Sequence, residues 1–466
     1  LSWSFASKFT SQAISIVFGI ILARLLVPED FGLIAMIMVM MGFAGLLADV
    51  GLGSALIQKI DVNEDHYSSV FWANNVLGLV LAIIMMLLSP LIAAFYKQPE
   101  LELITIVLSI NFMFGALAMV PRARLSKKMA FRELAIIDLL EMFLSGGVAV
   151  AMAAAGYGYW SLVSQKIAAS ISSAILLWVI ARWKPKLSYN MAAVKELVKF
   201  SFSVFLTRSL QYISRNISQL LIGKFLGVRS LGLQDKARSM MLFPIQNISH
   251  VVSAVMFPSF SQIQGDKDRV RNVYLKLVRA VSLLTFPMMI GMFAVSDTFV
   301  LGVLGEQWKE IIPLFRIYCV TGLVTSIVTL TGSIYLSQGA ANLQLRINMI
   351  IQPLIIVSLV VGLEWGLLGV VIGHAIANYV GAIITWKTAG KLINLKIIEI
   401  LKNLYTALIL SSIMGLLVAV SKELVIEKTP LEQFVFQLLV GVCVYLCLLM
   451  IIKPRAYHEI RSVLKK

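Results

Sequence analysis

The sequence contains few of the residues from which disulfide frameworks and metal centres are built. Three cysteines, Cys319, Cys443 and Cys447, and four histidines occur in 466 residues. All three cysteines lie in apolar stretches, and their spacing matches neither a disulfide framework nor a zinc site. We therefore predict that they are small buried hydrophobic side chains and that the protein carries no metal and no cofactor.

Charged residues are also scarce. Asp, Glu, Lys and Arg make up 14% of the chain and apolar residues make up 59%, whereas soluble domains typically carry about 25% charged residues. The longest connection between apolar stretches, residues 261–279, has fewer than twenty residues. This composition excludes an ordinary soluble globule, and the short connections leave no room for a soluble catalytic domain. We expect a protein that is not an enzyme and whose function lies among its helices.

Long apolar stretches follow one another along almost the whole chain. A membrane-spanning helix needs about 20 mostly apolar residues, and fourteen stretches meet this requirement. The predicted fold class is therefore an all-α integral membrane protein. The predicted spans cover residues 5–26, 31–57, 67–95, 101–120, 133–156, 159–181, 199–223, 237–260, 280–302, 311–336, 344–362, 366–386, 404–420 and 432–452.

The net charge of +16 follows the predicted topology rather than a nucleic-acid surface. With the N-terminus in the cytoplasm, 26 of the 40 Lys and Arg residues fall on cytoplasmic segments, 9 on external segments and 5 inside helices. Cytoplasmic connections of membrane proteins carry such an excess of basic residues. We therefore expect both termini in the cytoplasm, membrane lipids as neighbours, and no nucleic-acid partner.

The sequence also contains an internal repeat. Residues 21–33 (ILARLLVPEDFGL) align with residues 221–233 (LIGKFLGVRSLGL) at a shift of 200, and residues 158–175 align with residues 366–383 at a shift of 208. Each half holds six spans, so both halves enter the membrane in the same direction. The matches predict two parallel lobes related by an axis along the membrane normal. A chance match between short apolar words is the alternative.

The repeat gives a predicted domain organisation. Residues 1–182 form an N-lobe, residues 183–198 a cytoplasmic linker, and residues 199–386 a C-lobe. Residues 387–466 hold helices 13 and 14 and a basic tail. Two similar lobes that face a common cleft are typical of transporters that work by alternating access.

Several basic residues lie inside predicted spans, where a charge is costly unless it faces a polar cavity. Arg208 and Arg215 are seven residues apart in the seventh predicted span, so they lie on one face of that helix. Gln211 lies near the same face. At the repeat shift of 200 residues, Lys8 in the first predicted span corresponds to Arg208. Lys166 of helix 6 adds a further cation. These five residues predict a basic cleft that binds an anion such as pyrophosphate.

The alternative is a structural role, in which these cations form ion pairs with intramembrane carboxylates and so hold helices together. Asp49, Asp138 and Glu141 are the acidic residues available for such pairs. A further cation, Arg316, lies near an external helix end, and we expect it to extend towards the interface. Asp49 and His374 are candidates for ion or proton coupling, although a structural histidine is the commoner role in an apolar helix.

Two pairs of stretches resemble a known transporter family. The first pair is ARLLVPEDFGLIAM and LLADVGLGSALIQ, and the second is LGVRSLGLQDKARSM and FPSFSQIQGD. They are similar to polysaccharide exporters of the multidrug/oligosaccharidyl-lipid/polysaccharide (MOP) superfamily, which includes MATE transporters, and in particular to the WzxC-like, colanic acid exporter branch. The resemblance extends over nearly the whole chain. It implies the flippase fold of that superfamily, with two six-helix lobes and two additional helices.

The resemblance also implies a function. It predicts a flippase in the bacterial inner membrane that moves an undecaprenyl-pyrophosphate-linked oligosaccharide from the cytoplasmic to the periplasmic leaflet. The partners would be this anionic lipid-linked glycan and, during glycan assembly, a polysaccharide polymerase and glycosyltransferases; we expect a monomer. The alternatives are a MATE-like ion-coupled exporter, which needs an acidic or aromatic cavity for cationic drugs, and a membrane polymerase or glycosyltransferase, which needs a larger external loop.

Overall fold

We describe the fold from a computed structural model. The structure describes residues 2–49, 52–59, 61–187, 189–455, 457 and 459. Within these ranges the side chains of residues 2–9, 49, 192–208, 210, 211, 213–215 and 254 are left out of the description. The regular structure of the described residues is helical throughout. Their contacts divide the chain into two units, Leu1–Gly232 (unit 1) and Leu233–Lys466 (unit 2).

Unit 1 is built from eight helices and most of a ninth. They are α1 (Ser2–Leu25), α2 (Pro28–Asp49), α3 (Leu52–Gln58), α4 (Glu64–Tyr96), α5 (Glu100–Ser109), α6 (Asn111–Lys127), α7 (Phe131–Ala154), α8 (Trp160–Ala181) and α9 (Met191–Pro244). Gly227, with φ +83°, breaks α9 into two helical stretches, and the second stretch runs on into unit 2. Glycine adopts this left-handed backbone conformation without the steric cost that a Cβ would impose.

Unit 2 continues with eight further helices. They are α10 (His250–Gln262), α11 (Lys267–Ala294), α12 (Ser296–Phe299), α13 (Ile311–Ser337), α14 (Ala341–Gly362), α15 (Gly366–Leu392), α16 (Ile397–Ser421) and α17 (Pro430–Ile452). Its core forms where α11 packs against α13 and α16. Buried tyrosines bind backbone or hydroxyl partners there, as when the Tyr445 hydroxyl donates to the carbonyl of Leu283 at 2.7 Å.

The predicted fold class is confirmed. Among the described residues, eleven helical runs are long and apolar enough to cross a membrane, and Thr10–Leu25 is a shorter apolar helix. One run, Ala341–Leu392, contains two predicted spans. Among the described residues, each of the fourteen predicted spans is mostly helical. One detail was wrong: Cys319 is buried as predicted, but Cys443 and Cys447 are exposed on α17, because the apolar surface of a spanning helix can face lipid.

Capping fixes the ends of several helices. The Asn63 side chain accepts a hydrogen bond from the backbone N–H of His66 and so begins α4. Thr429 and Glu432 form a capping box around Pro430 at the start of α17. Each cap satisfies backbone N–H groups that have no partner inside their own helix. These local signals stop one span and start the next across short connections.

Within unit 1, helix α7 lies between α1 and α8, and α6 contacts both α8 and α4. Small residues allow these helices to approach closely. The position that a Cβ would occupy on Gly146 of α7 is filled by the ring of Phe18 in α1, and a Cβ on Gly78 of α4 would lie 2.8 Å from the carbonyl oxygen of Phe112. Small residues at such contacts are typical of helices packed in membranes.

Two helix starts of unit 1, the first turn of α2 and the first turn of α9 after Gly227, cross each other reciprocally. Gly32 lies against the backbone carbonyl of Val228, and Gly232 lies against the backbone carbonyl of Pro28. Glu29 and Arg229 form an ion pair at 2.6 Å across the same crossing. The paired positions differ by the 200 residues of the sequence repeat. A reciprocal contact of equivalent positions is the pattern that a two-fold axis produces, and it supports the repeat; the predicted lobe boundaries stay a prediction.

Candidate functional site

The site is built from the one predicted substrate-binding residue whose side chain is described, Lys166. It is exposed in the second turn of α8 and shares a face with Ser173, seven residues further along. Ile175 and Val179, which are exposed and apolar, lie on the opposite face. Lipid contacts the apolar exposed face of a spanning helix, so Lys166 projects on the other side, where a charge requires a polar environment.

Helix α7 has the same division of its surface. Its exposed apolar side chains include Leu140, Phe143 and Leu144. Asp138 and Glu141 lie on the other side of the helix, and the Asp138 side chain is nevertheless 51% exposed. A carboxylate that is exposed on the face away from lipid is stable only if that face meets water or other polar groups.

Arg122 of α6 joins the two carboxylates. Its Nη2 donates to the Oδ1 of Asp138 at 2.8 Å and lies 4.0 Å from the Oε2 of Glu141. Glu141 also lies near the Ser173 hydroxyl and within electrostatic range of the Lys166 ammonium. We call this set, Arg122, Asp138, Glu141, Ser173 and Lys166, the ionic track of unit 1.

The ionic track extends through a large part of the membrane. Arg122 lies five residues before the end of α6, or about 8 Å along its axis. Glu141 lies ten residues after the start of α7, or about 15 Å, which is about half the hydrocarbon thickness. Lys166 lies near the opposite end, in the second turn of α8. Charges of both signs thus follow one surface of the unit from near one membrane interface past the midplane.

The ionic track combines the two interpretations that the sequence left open for Lys166. Asp138 pairs with Arg122, whereas Glu141 interacts electrostatically with both Arg122 and Lys166. Sequence reasoning missed Arg122, because it is one of four basic residues at positions 122–128, just after a predicted span, and we counted such residues as cytoplasmic. The available signal was the helical depth of Asp138 and Glu141, two carboxylates inside one predicted span that need a cation nearby.

Four of the predicted substrate-binding residues, Lys8, Arg208, Gln211 and Arg215, have side chains outside the described residues. The same is true of Asp49, a candidate for ion coupling. Their roles stay predictions. Arg316, by contrast, is described: it lies 2.9 Å from the Oδ2 of Asp297 and donates to Ser296, so a neighbouring carboxylate holds it.

The second coupling candidate, His374 of α15, lies in a polar cluster of unit 2. Its ring centroid is 6.4 Å from that of Tyr318 in α13. The Tyr318 hydroxyl accepts a hydrogen bond from the Nε2 of Gln234 at 2.9 Å. The Nδ1 of His374 and the Oε1 of Gln234 are buried without a hydrogen-bond partner. A histidine in these surroundings can serve structure or coupling, and its predicted role stays open to experiment.

The described residues include no group of three or more His, Cys, Asp or Glu side chains that could hold a metal ion.

The sequence itself agrees with a known family. The profile described as "Polysaccharide biosynthesis protein" matches residues 21–313, more than half of the chain. The chain belongs to this family.

Two curated relatives of this polysaccharide biosynthesis protein illustrate the similarity. The teichuronic acid biosynthesis protein TuaB of Bacillus subtilis is 28% identical over 91% of this chain and 88% of its own length. The lipopolysaccharide biosynthesis protein WzxC of Escherichia coli is 26% identical over 82% of this chain and 79% of its own length. The resemblance to polysaccharide exporters of the WzxC-like branch is thereby confirmed.

A solved structure confirms the fold. The lipid II flippase MurJ, in an inward closed conformation, superposes with a TM-score of 0.78 at 16% identity, covering 97% of this chain and 99% of its own. At this level of identity the comparison concerns the fold alone. The protein therefore shares the helical fold of that structure over nearly its whole length, and it carries charged residues inside its apolar helices.

Proposed function

We propose that the protein is a transporter, and specifically a flippase that moves an undecaprenyl-pyrophosphate-linked oligosaccharide from the cytoplasmic to the periplasmic leaflet by alternating access. The family concerns polysaccharide biosynthesis, and the relative WzxC is named for lipopolysaccharide biosynthesis. The structure that shares the fold over nearly the whole chain is named as a lipid flippase. Transport of a lipid-linked glycan unites these findings.

The observation that carries the proposal is the ionic track, where Arg122, Asp138, Glu141 and Lys166 lie at membrane depth on a surface away from lipid. A pyrophosphate cannot enter hydrocarbon unpaired, because removing an ion from water costs many kcal/mol. A transporter for such a head group must therefore provide a polar, charged surface across the membrane. An enzyme acting at the membrane surface has no need of charges near the midplane.

The predicted substrate-binding residues are part of this proposal. Lys8 on α1 and Arg208, Gln211 and Arg215 on α9 supply donors, and Lys166 supplies a cation on α8. Arginine suits a phosphate group because its planar guanidinium donates two parallel hydrogen bonds, whereas lysine acts as a compact charge. Asp49 and His374 stay the candidates for coupling to an ion or proton.

We further propose that the protein lies in the bacterial inner membrane with both termini in the cytoplasm, as the distribution of Lys and Arg favours. In this orientation, the crossing of residues 28–32 with residues 228–232 lies on the periplasmic side. The substrate is the anionic lipid-linked glycan, and polysaccharide polymerase and glycosyltransferases are the expected partners in assembly.

The decisive experiment follows lipid-linked saccharide in spheroplasts of a bacterium that makes the glycan. Spheroplasts with the gene and spheroplasts without it are compared for saccharide that becomes accessible at the periplasmic face. We expect accessibility only when the protein is present. Equal accessibility in the deletion strain, with normal synthesis of the lipid-linked saccharide, would contradict the proposed function.

A further inference from the structure

A groove opens on unit 1 where α5, α7 and α8 meet, and it has a cavity volume of 550 Å³. Its walls include Val107 of α5, Met152 of α7, and Trp160, Val163 and Ile167 of α8. Almost all of the surface that faces the groove is apolar, and none of the described residues that line it is charged. We call it the α5–α8 groove. Its volume lies in the range of about 300–1,000 Å³ that is usual for small-molecule sites.

The local sequence explains why the α5–α8 groove forms. The helical run from α5 into α6 is interrupted at Ile110, which belongs to neither helix and lines the groove. The hydroxyls of Thr105 and Ser109 donate to backbone carbonyls four residues earlier, at 2.5 and 2.6 Å, and such bonds favour a bend in a helix. In the short connection from α7 to α8, Gly156 and Gly158 take positive φ values of +83° and +52°. The groove lies between the interruption and this connection.

Water does not suit the α5–α8 groove. The hydroxyl of Ser164, which lines the groove, donates to the backbone carbonyl of Ser161 at 2.9 Å and so has its partner within α8. A buried water needs about two to four polar partners, and an apolar wall does not supply them. Hydrocarbon is the fitting occupant, because unfilled space beside an apolar wall forfeits dispersion contacts.

The α5–α8 groove is continuous with the lipid-facing surface of all three helices. In each helix, one residue that lines the groove shares a face with a residue that is exposed and apolar. The pairs are Val107 with Leu103, Met152 with Val148, and Ser164 with Ile175, which are four, four and eleven residues apart. A chain from the surrounding bilayer can therefore enter the groove sideways.

We propose that the α5–α8 groove binds one acyl chain of a membrane phospholipid. Trp160 begins α8 and Ile167 follows seven residues later, so the groove extends about 10 Å along the helix, within the thickness of one hydrocarbon leaflet, about 15 Å. Tyr157, in the connection before α8, also lines the groove and is 58% exposed. Tyrosine and tryptophan at a helix end lie at the level of the lipid head groups. The head group of the bound phospholipid therefore lies beside Tyr157 and Trp160.

The length of the groove favours a phospholipid over a polyprenyl carrier. An acyl chain spans one leaflet, as the groove does. An undecaprenyl chain is much longer and is methyl-branched, so most of it would lie outside the groove. An acyl chain in the groove contacts both α5 and α8 and so adds packing between these helices. We therefore expect bound phospholipid to stabilise the folded protein.

Tryptophan fluorescence in the presence of a brominated lipid tests the inference. The purified full-length protein is titrated in detergent with a phosphatidylcholine that carries bromine on an acyl chain, since bromine quenches tryptophan fluorescence on contact. The difference between the wild type and Trp160→Phe gives the signal of Trp160. Trp365→Phe gives that of a tryptophan outside the groove, which is 67% exposed. We expect half-maximal quenching of Trp160 at a lipid concentration at least about tenfold lower, because a chain in the groove makes packing contacts that a chain on an open face lacks.

Two substitutions of Ser164 form a matched pair. Ser164→Phe places a ring in the groove, whereas Ser164→Ala leaves the groove open. Ser164→Phe should lose the quenching of Trp160 at low lipid concentration, and Ser164→Ala should keep it. Phospholipid should also raise the melting temperature of Ser164→Ala and of the wild type but not that of Ser164→Phe. Val107→Phe, which fills the groove from α5, replaces Ser164→Phe in both measurements if that variant does not fold.

Three results would overturn the proposal. The first is half-maximal quenching of Trp160 and Trp365 at the same lipid concentration. The second is quenching of Trp160 at low lipid concentration that persists in the filled variants. The third is displacement of the brominated phospholipid by an equimolar amount of undecaprenyl phosphate, which would assign the groove to an isoprenoid chain.

Discussion

We predict that one added methyl group will disturb the reciprocal crossing in unit 1. A Cβ on Gly32 would meet the backbone carbonyl of Val228, and a Cβ on Gly232 would meet that of Pro28, each at a separation that real Cβ atoms essentially never show. Both neighbours are backbone, so no side-chain rotation can make room. In Gly32→Ala or Gly232→Ala the two helix starts that cross here must separate.

The size of the effect follows from the packing. Overpacking a close contact with one methyl group costs about 1–3 kcal/mol. Because every 1.4 kcal/mol is a factor of ten, a cost of about 2 kcal/mol lowers the population of the crossed arrangement about 30-fold relative to any open arrangement. Under alternating access, the crossed arrangement keeps the periplasmic side closed, and each alanine variant should therefore favour an open periplasmic side.

Pulsed electron paramagnetic resonance measures this shift directly. Spin labels are placed at exposed positions flanking the crossing, Val27 and Phe225, in a background without the native cysteines. We expect Gly32→Ala to add a population with longer label separations. Gly19→Ala is the control, because a Cβ there meets nothing within 4 Å. Identical distance distributions for Gly32→Ala and Gly19→Ala would refute the reasoning.

Three further predictions concern charge. Arg229→Glu should weaken the same crossing by less than about tenfold, because exposed ion pairs contribute about 0–1 kcal/mol, and the double exchange with Glu29→Arg should restore the wild-type label distances. Arg124→Ala should lower the melting temperature and membrane abundance. Its Nη1 donates to both carboxylate oxygens of Glu64, at 2.6 and 2.8 Å, and the arginine side chain is only 16% exposed, so the contact contributes about 2–3 kcal/mol. Arg208→Ala and Arg215→Ala should abolish glycan export at normal abundance, with partial rescue by lysine if charge matters more than bidentate geometry.

Each of these predictions has its own control. Lys128→Ala, an exposed cation at the end of α6, should leave stability unchanged where Arg124→Ala lowers it. Failure of the double charge exchange to restore label distances would show that the ion pair does not contribute to the crossing. Full export by both Arg208→Ala and Arg215→Ala, measured together with membrane abundance, would argue against cationic recognition of the head group.

The sequence determined the helical architecture, because the length and apolar character of a span are local properties. Among the described residues, each of the fourteen predicted spans is mostly helical, since hydrocarbon leaves backbone N–H and C=O groups no partners except those within a helix. The repeat shift of 200 residues was also readable, and it reappears in the contacts of Gly32 and Gly232. The five charged and polar positions proposed for substrate binding came from the same local argument, and all five stay predictions.

Only the tertiary structure decided which charges meet. Arg122 stands in a basic cluster near a helix end, yet it reaches Asp138 and Glu141 on the next helix. Which face of a spanning helix turns inward is weakly encoded in its apolar pattern, because lipid tails are as apolar as a protein core and no hydrophobic force separates the two. The rotation of α6, α7 and α8 is set by packing, such as the approach of Phe18 to Gly146. The ionic track exists because that packing turns three otherwise unrelated charged faces towards one another.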